Sequence, residues 1–161
     1  MPTADSPTTD CSIQRTLDLI GDRWTLLILR DIFRGVRRFS QIQNDLGIAK
    51  NLLAYRLNSL VDAEIVTKIP YQDRPVRHEY ILTDKGRALS PALVALMRWG
   101  DDWCLPGEAP TELYHEACAT RVELQPWCTC CNEAVPPSSI RSRPGPGLTS
   151  SINTISVGVS P

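Results

Sequence analysis

Residues 40–82 have the sequence SQIQNDLGIAKNLLAYRLNSLVDAEIVTKIPYQDRPVRHEYIL, and the order of patterns within this stretch decides the fold. A short amphipathic helix is predicted over 40–46, with Ser40 as its N-cap, because a serine hydroxyl can accept hydrogen bonds from free helical amides. Gly47 then predicts a tight turn. A longer helix follows over 49–62, with leucines at helical spacing on one side. A helix, a tight turn and a longer helix in this order predict a helix-turn-helix.

Two strand-like runs follow the longer helix. Residues 65–69 and 78–82 are rich in β-branched and aromatic residues, and the polar segment 71–75 separates them. This pattern predicts a β-hairpin with a polar, basic tip that carries Arg74 and Arg77.

Further helices are predicted on both sides of this stretch. Apolar spacing predicts helices over 12–20 and 23–33, with Asp22 as the N-cap of the second. After the hairpin, Thr83 caps another helix, which Pro91 restarts. We therefore predict a winged helix-turn-helix, which is mainly α with a small β-hairpin wing and belongs to the α+β class.

Length and composition predict one small domain with extensions. The chain has 161 residues, of which 42% are hydrophobic and 22% charged, an ordinary globular mixture. We predict a flexible N-terminus over 1–10, a DNA-binding and dimerisation domain over 11–106, and a Cys/His-containing, zinc-ribbon-like extension over 107–135. Residues 136–161 contain seven Ser, five Pro and three Gly, so we predict a disordered tail.

The sequence also argues against several classes of protein. No apolar run is long enough for a membrane helix, and no secretory signal precedes the first helix. Six cysteines without an export signal favour reduced thiols, metal ligands or sensor thiols in a cytoplasmic protein over a disulfide framework. With only His78 and His115 as histidines, and no nucleophile triad or phosphate loop, we expect no enzyme activity.

The net charge of −1 hides an uneven distribution. Residues 34–77 hold eight Lys or Arg against four acidic residues, whereas residues 99–133 hold one Arg against seven acidic residues. A basic middle and an acidic end fit a protein that offers one face to phosphates, and equally a solvated helix face with excess arginine.

The outer side of the helix over 49–62 carries the candidate DNA-reading residues. Lys50 and Arg56 suit phosphates or guanine edges, Asn51 suits adenine, and Tyr55 can reach the DNA backbone, with the small Ala54 between them. The alternative is an ordinary amphipathic surface helix. The preceding helix, the Gly47 turn and the following hairpin favour DNA reading.

Other candidate DNA contacts lie outside this helix. Arg74 and Arg77 at the hairpin tip suit a minor groove, whose negative potential attracts guanidinium groups; the alternative is a solvated turn. Arg37 and Arg38 precede the helix-turn-helix and suit phosphates, and Ser40 at its start is a further candidate DNA contact.

Several motifs in this order resemble one family. The chain is similar over residues 11 to about 104 to the HxlR family of bacterial transcription regulators, a branch of the winged-helix regulators related to the MarR type. The resemblance is carried by Cys11-Ser-Ile-Gln, Ile20-Gly-Asp-Arg-Trp24-Thr, Arg38-Phe39-Ser40, Gly47-Ile48-Ala49-Lys-Asn-Leu-Leu53, Arg56-Leu57, Arg74-Pro-Val-Arg77-His-Glu-Tyr80-Ile-Leu-Thr83 and Gly86.

This resemblance implies a homodimer that binds a pseudo-palindromic site in double-stranded DNA. It also implies dimer contacts from the first helix and from the helix that ends near Trp99 and Trp103. Two residues depart from the family pattern. Ala49 stands where a serine is usual, which removes a capping hydroxyl. Glu64 replaces a glycine, which weakens the expectation of a left-handed turn there.

Cys11 matches the cysteine near the N-terminus that senses oxidants or electrophiles in some members of this family. It directly precedes the first predicted helix, where the helix dipole can favour a thiolate. Cys11 is therefore a candidate redox sensor. The alternative is a small residue buried in the dimer interface.

A second constellation of thiols lies in the extension. His115, Cys118, Cys128 and Cys131 form two pairs, each separated by two residues, which is a spacing that suits a tetrahedral, structural Zn²⁺. Cys130 is a spare thiol that could compete for the metal. The alternative is a degenerate site whose thiols bind no metal and only pack against the wing or the dimer helix. Zn²⁺ is therefore an optional structural ion, and we expect no required cofactor.

The sequence thus predicts a DNA-binding transcriptional regulator that acts as a homodimer and responds to a redox or small-molecule effector. The alternative is a thiol- or metal-based sensor module with weak or no DNA binding. Salt dependence separates the two, because a regulator that contacts phosphates loses affinity steeply as salt rises.

Overall fold

The computed structural model describes residues 11–146. The predictions for 1–10 and for the tail beyond residue 146 lie outside this range. Two compact units are present, one of which is Thr16–Leu124 and contains the hydrophobic core. The other, as far as it is described, consists of 11–15 and 125–146. Within the described residues, no helix has both the length and the hydropathy that a bilayer span requires.

The structure has the predicted winged-helix order, with a two-stranded antiparallel wing after the helix-turn-helix. Its helices and wing strands are α1 (Ser12–Ile20), α2 (Arg23–Phe33), α3 (Phe39–Leu46), α4 (Lys50–Asp62), β1 (Val66–Asp73), β2 (Val76–Leu82), α5 (Asp84–Arg87) and α6 (Ser90–Trp103).

Helix α2 is the centre of the core. Asp22 caps it as predicted, accepting hydrogen bonds from the amides of Trp24 at 2.9 Å and Thr25 at 3.3 Å. Ile28 and Leu29 on this helix are fully buried. The helices and strands that carry the DNA-reading candidates pack around them, and the buried side chains are those of Ile20, Ile28, Leu29, Ile32, Ile42, Ile48, Leu53, Leu57, Leu60, Ile65, Val66, Tyr80 and Leu82.

Helix α3 begins one residue earlier than predicted. Phe39 is its first residue and Arg38 is the N-cap, so the prediction of Ser40 as N-cap is wrong. Gln41 accepts from the Arg38 amide at 3.3 Å, which satisfies the start of the helix from within the first turn. Ser40 is left exposed in that turn. Gly47 ends the helix at φ +60, the left-handed conformation that the tight turn requires.

The left-handed turn after α4 is retained without a glycine. Glu64 adopts φ +57, so the left-handed turn that the missing glycine made less expected is present. The hydroxyl of Thr83 donates to the Glu64 carbonyl at 2.7 Å, which ties the turn to the end of the wing. The surrounding contacts therefore hold a residue that is not glycine in a conformation that disfavours side chains.

The wing is longer than predicted. Its two strands pair from Val66 with Leu82 to Asp73 with Val76, with an irregularity in register between Pro70 and Gln72. The predicted tip of 71–75 therefore shortens to Arg74 and Pro75, which are joined by a cis peptide bond. The strands extend into this polar segment because each added cross-strand pair satisfies hydrogen-bonding groups of the backbone.

The start of α5 fixes the base of the wing. Thr83 caps α5 as predicted, accepting from the Gly86 amide at 3.1 Å. A Cβ on Gly86 would collide with the carbonyl oxygen of Ile65, so only glycine allows this close approach. Helix α6 then begins at Ser90 with Pro91 in its first turn, as predicted.

The described part of the second unit is mostly irregular. It contains a two-residue hairpin in which β3 (Trp127–Cys128) pairs with β4 (Glu133–Ala134). A single 3₁₀ turn follows at Pro137–Ser139.

Candidate nucleic-acid interface

Helix α4 separates an apolar inner side from a polar outer side. Leu53 and Leu57 are fully buried, whereas Lys50, Asn51 and Tyr55 are exposed, with 62% of Tyr55 accessible to solvent. Asn51 and Tyr55 are four residues apart and so project from the same side of the helix. This side meets the requirements of a major-groove reading helix, which are packing on the domain and free polar groups outside. The predicted Ala54 is half-buried.

The start of α4 lacks a side-chain cap. Ala49 is the N-cap residue, with extended φ and ψ and no side-chain hydrogen bond to the helix. The free amides of the first turn are therefore available to an external acceptor, such as a phosphate oxygen.

Arg56 lies away from the outer side of α4. Its Nη2 donates to Asp22 Oδ2 at 2.8 Å, and only 27% of its side chain is exposed. The same aspartate caps α2, so one carboxylate joins the first turn of α2 to the middle of α4. Of the two cationic candidates on α4, Lys50 is exposed on the outer side, whereas Arg56 is mostly buried and paired with Asp22.

Arg38 anchors the wing. Its Nε donates to Glu79 Oε1 at 2.9 Å, and its guanidinium stacks over the ring of Tyr71 at 4.3 Å from the centroid. A β-bridge also joins Arg38 to Glu79, and the Tyr80 amide donates to the Arg37 carbonyl at 2.8 Å. These contacts fix the wing against the start of α3, a role for Glu79 that the sequence did not reveal.

A second bond ties the wing to α4. Lys68 Nζ on β1 donates to Asn58 Oδ1 at 2.8 Å. Together with the anchor at Arg38, this bond limits how far the hairpin can move relative to α4.

The remaining predicted cations are free in the described structure. Arg37, Arg74 and Arg77 are exposed, and within residues 11–146 none of them, nor Lys50, forms an ion pair. A cleft of about 600 Å³ between the helix-turn-helix and the wing is lined by Ser40, Lys50 and Arg77, among others. Free cations beside an open cleft provide positive charge for an anionic ligand.

The guanidinium of Arg30 joins a buried carboxylate on α2 to Asp45 on α3. Asp31 is fully buried and accepts from Arg30 at 2.7 Å, while the same guanidinium reaches Asp45 on α3 at 3.2 Å. Burial raises the pKa of Asp31, and the hydrogen bond and charge of Arg30 oppose this rise. Sequence analysis missed Asp31, although its place three residues after Ile28 lies on the apolar side of α2.

All six cysteines are free thiols, Cys11 among them. Cys11 is exposed immediately before α1, where its carbonyl accepts from the Arg15 amide at 3.0 Å. The position matches the expectation of a thiol at a helix N-terminus. Its redox role remains a prediction.

The first of the two predicted ligand pairs forms a compact turn. His115 Nδ1 and Cys118 Sγ are 3.3 Å apart, and the Ala119 amide donates to the His115 carbonyl at 2.8 Å. Ala119 closes the turn at φ +53. Hydrogen bonds from the side chain and the backbone of Thr120 lower the pKa of Cys118, which favours the thiolate.

The second pair forms a turn of the same type. The Asn132 amide donates to the Cys128 carbonyl at 2.8 Å, and Asn132 closes the turn at φ +55. Backbone amides of Cys131 and Cys130 lower the pKa of Cys128, the former lying 3.5 Å from its sulfur. Among the described residues no three His, Cys, Asp or Glu side chains converge as a metal site. Zinc binding therefore stays a prediction.

Two helices expose apolar stripes. On α1, Ile13 and Leu17 are more than half exposed, and on α6 the exposed fractions are 54% for Leu96, 60% for Trp99 and 77% for Trp103. Aromatic residues with this exposure are unusual on a surface that stays in water.

The chain matches one family model and is similar to a known bacterial regulator. Residues 19–108 match the family model described as HxlR-like helix-turn-helix. An HTH-type transcriptional regulator of Mycobacterium tuberculosis, Rv3095, is 44% identical over 138 residues, which cover 85% of this chain and 87% of the relative.

Two solved structures are similar to the chain. The crystal structure of the transcription factor PA1607 matches with a TM-score of 0.76 and 38% identity, covering 84% of this chain and 96% of that one. The redox regulator HypR in its reduced form matches with a TM-score of 0.53 and 28% identity, covering 57% of this chain and 92% of that one.

Proposed function

This chain belongs to the HxlR-like helix-turn-helix family of transcriptional regulators, and we propose that it acts as a homodimer that binds a pseudo-palindromic site in double-stranded DNA. The observation that carries the proposal is the outer side of α4. Lys50, Asn51 and Tyr55 are exposed there on a helix whose opposite side is buried, beside a wing whose Arg74 and Arg77 form no ion pair within residues 11–146.

The contacts of each side chain indicate which part of the DNA it would bind, or whether it positions another element. Asn51 reads adenine in the major groove, and Tyr55, exposed on the same side of α4, reaches the DNA backbone. Lys50, Arg37 and the free amides in the first turn of α4 hold phosphates. Arg77 lies within β2 and not at the tip, beside the cleft that Lys50 also lines, so it holds a phosphate as well. Arg74 at the wing tip enters the minor groove. Arg56 and Arg38 instead position α4 and the wing through Asp22 and Glu79.

The exposed apolar stripes support dimerisation through α1 and α6. Covering Leu96, Trp99 and Trp103 with a second copy would remove a large apolar area from water. A dimer also places two α4 helices for two half-sites, whose separation reflects the two-fold symmetry. We place the working protein in the cytoplasm, where it has access to DNA.

Selection of duplexes from a random library tests the proposal. We expect the selected DNA to contain inverted half-sites about one helical turn apart, and the free protein to elute as a dimer. Trp99→Lys should give a folded monomer that selects no paired half-sites. Selection of no common sequence would contradict the proposal.

The thiols support a second candidate function, that of a sensor with little DNA binding of its own. The observation that favours it is the pair of matching turns at His115–Cys118 and Cys128–Cys131, each with a thiol whose pKa is lowered. We propose these four residues as ligands of a structural Zn²⁺, which prefers thiolate and imidazole donors. Cys11 is the candidate for oxidant sensing. No catalytic role is proposed.

A further inference from the structure

His78 is a histidine in the wing to which the proposed function assigns no role. It lies on β2, is exposed, and pairs with Pro70 across the wing. Successive side chains of a strand point to opposite faces, so His78 shares its face with Val76 and Tyr80. All three residues line the cleft of about 600 Å³ between the helix-turn-helix and the wing. The imidazole therefore faces this cleft.

The other polar residues of the cleft are hydrogen-bond donors. Lys50 on α4 and Arg77 on β2 line it, Ser40 on α3 adds a hydroxyl, and none of the described lining residues is acidic. Within residues 11–146, neither His78 nor the two cations form an ion pair. Donors from three elements therefore line one cleft whose own side chains supply no negative charge, which favours an anionic partner.

The two acidic residues of the wing, Asp73 and Glu79, do not line this cleft. Glu79 follows His78 on β2, so its side chain points to the opposite face of the strand, where it accepts from Arg38 at 2.9 Å. Asp73 is exposed beside the wing tip, where it lies opposite Val76 in the register of the hairpin. A protonated imidazole at His78 therefore has no carboxylate of the wing as its partner in the cleft.

Histidine differs from the other ionisable residue types in the lining, because its side chain changes charge between about pH 5 and 8. Lysine, arginine and tyrosine side chains ordinarily keep their charge over that range. Burial moves Tyr80 further from it by raising the pKa of its phenol. A phosphate in the cleft would accept a charge-assisted hydrogen bond from protonated His78 and would stabilise that protonated form. Occupation of the cleft by a phosphate is therefore coupled to the charge of one residue.

We propose that His78 is a further DNA contact, which takes up a proton and donates to the phosphate that Lys50 and Arg77 hold in this cleft. The inference rests on the proposed function, because it requires DNA at α4 and the wing. It adds to that function a dependence of DNA affinity on pH. The proton comes from the solvent, resides on the imidazole while DNA is bound, and returns when the DNA dissociates. Because the complex holds more protons than the free protein, the affinity rises as the pH falls.

Fluorescence anisotropy of the reduced, full-length protein on the duplex selected from the random library tests the proposal, at about pH 6 and pH 8 and several salt concentrations. We expect the wild type to bind about fivefold more tightly at the lower pH. The slope of log affinity against log salt should also steepen there by about one, because one further cation meets a phosphate. Equal affinity and an equal salt slope at the two pH values would overturn the proposal.

Two variants isolate the imidazole from the thiols and from His115, which they share with the wild type. His78→Gln keeps a hydrogen-bond donor but cannot take up a proton, so it should lose both the change in affinity and the change in salt slope. His78→Lys stays charged, so at the higher pH it should bind about as tightly as the wild type does at the lower pH. If neither variant folds, the two salt slopes of the wild type still decide.

Failure of this inference can be distinguished from failure of the proposed function. If the wild type binds no duplex, or Lys50→Ala binds as the wild type does at both pH values, the proposed function fails and the role of His78 with it. If DNA binding depends on Lys50 but His78→Gln keeps the pH dependence of the wild type, only the role of His78 is overturned.

Discussion

The guanidinium of Arg56 donates a hydrogen bond to the carboxylate of Asp22 across 2.8 Å, joining the DNA-reading helix α4 to the N-cap of α2. Asp22 accepts from the amides of Trp24 and Thr25 as well, so its two oxygens serve two helices. The orientation of α4 therefore depends on a residue more than thirty positions earlier in the chain. Arg56 is a positioning residue in this account.

A double-mutant cycle between Asp22→Ala and Arg56→Ala measures this pair. We expect a coupling of about 1 kcal/mol in the free energy of unfolding, since both side chains are partly exposed. Asp22→Ala alone should cost about 1 kcal/mol more than Arg56→Ala, because it also removes the cap. Urea unfolding of the four proteins gives all the values.

DNA binding distinguishes positioning by Arg56 from base reading. If Arg56 only positions α4, Arg56→Ala should weaken binding to all operator variants by a similar factor. A loss confined to one base pair would show that Arg56 reads a base and would contradict the structural assignment.

Glu64→Gly should stabilise the protein. Glu64 holds φ +57, which costs a side-chain-bearing residue about 1–2 kcal/mol, while glycine adopts it freely at some entropic cost in the unfolded chain. The net expectation is a gain of about 0.5–1 kcal/mol in the free energy of unfolding. The neighbouring Ala63→Gly, at negative φ, is the control and should destabilise. A loss of stability in Glu64→Gly would show that its turn is not strained.

Asp31 should make stability depend on pH. Its pKa is raised in the folded protein by burial, so the folded state holds the proton more tightly than the unfolded chain does. The contribution of Asp31 to stability is therefore largest below its ordinary pKa of 3.8 and falls as pH rises through the raised pKa.

Comparison with Asp31→Asn isolates this titration. The unfolding free energy of the wild type relative to the variant should fall as the pH rises from 3.8, the ordinary pKa of the carboxyl, through the raised pKa of Asp31. A relative stability that rises with pH would mean that the ion pairs of Asp31 outweigh its burial.

Zinc binding predicts a fixed stoichiometry. Protein purified without chelators should hold about one Zn²⁺ per chain, and Cys128→Ser or Cys131→Ser should abolish it, because each removes one of four ligands. Cys104→Ser, at a thiol outside the proposed ligand set, should retain the metal. Elemental analysis measures this directly. Metal-free wild type with all its thiols open to a thiol reagent would refute the site.

Local signals predicted much of the fold. The cap at Asp22, the glycine turn at Gly47 and the cap at Thr83 each rest on residues within a few positions, and the structure confirms all three. The split of α4 into an apolar and a polar side followed from helical periodicity alone. These features depend on sequence neighbours.

Contacts between residues far apart in the sequence could not be predicted from such local signals. The pairs Arg56–Asp22 and Arg38–Glu79 join different elements, so the sequence presented two cations without their partners. Glu64 illustrates the other limit. Its conformation is imposed by contacts such as that with Thr83, against its own preference.

The most direct test of the central claim is fluorescence anisotropy of the reduced protein on duplex DNA from upstream of its own gene, at about 50 and 200 mM salt. We predict specific binding that weakens steeply with salt, a slope reduced by about one in Lys50→Ala, and loss of sequence preference in Asn51→Ala. Binding no tighter than to random duplex, or unaffected by salt and by both substitutions, would contradict the account.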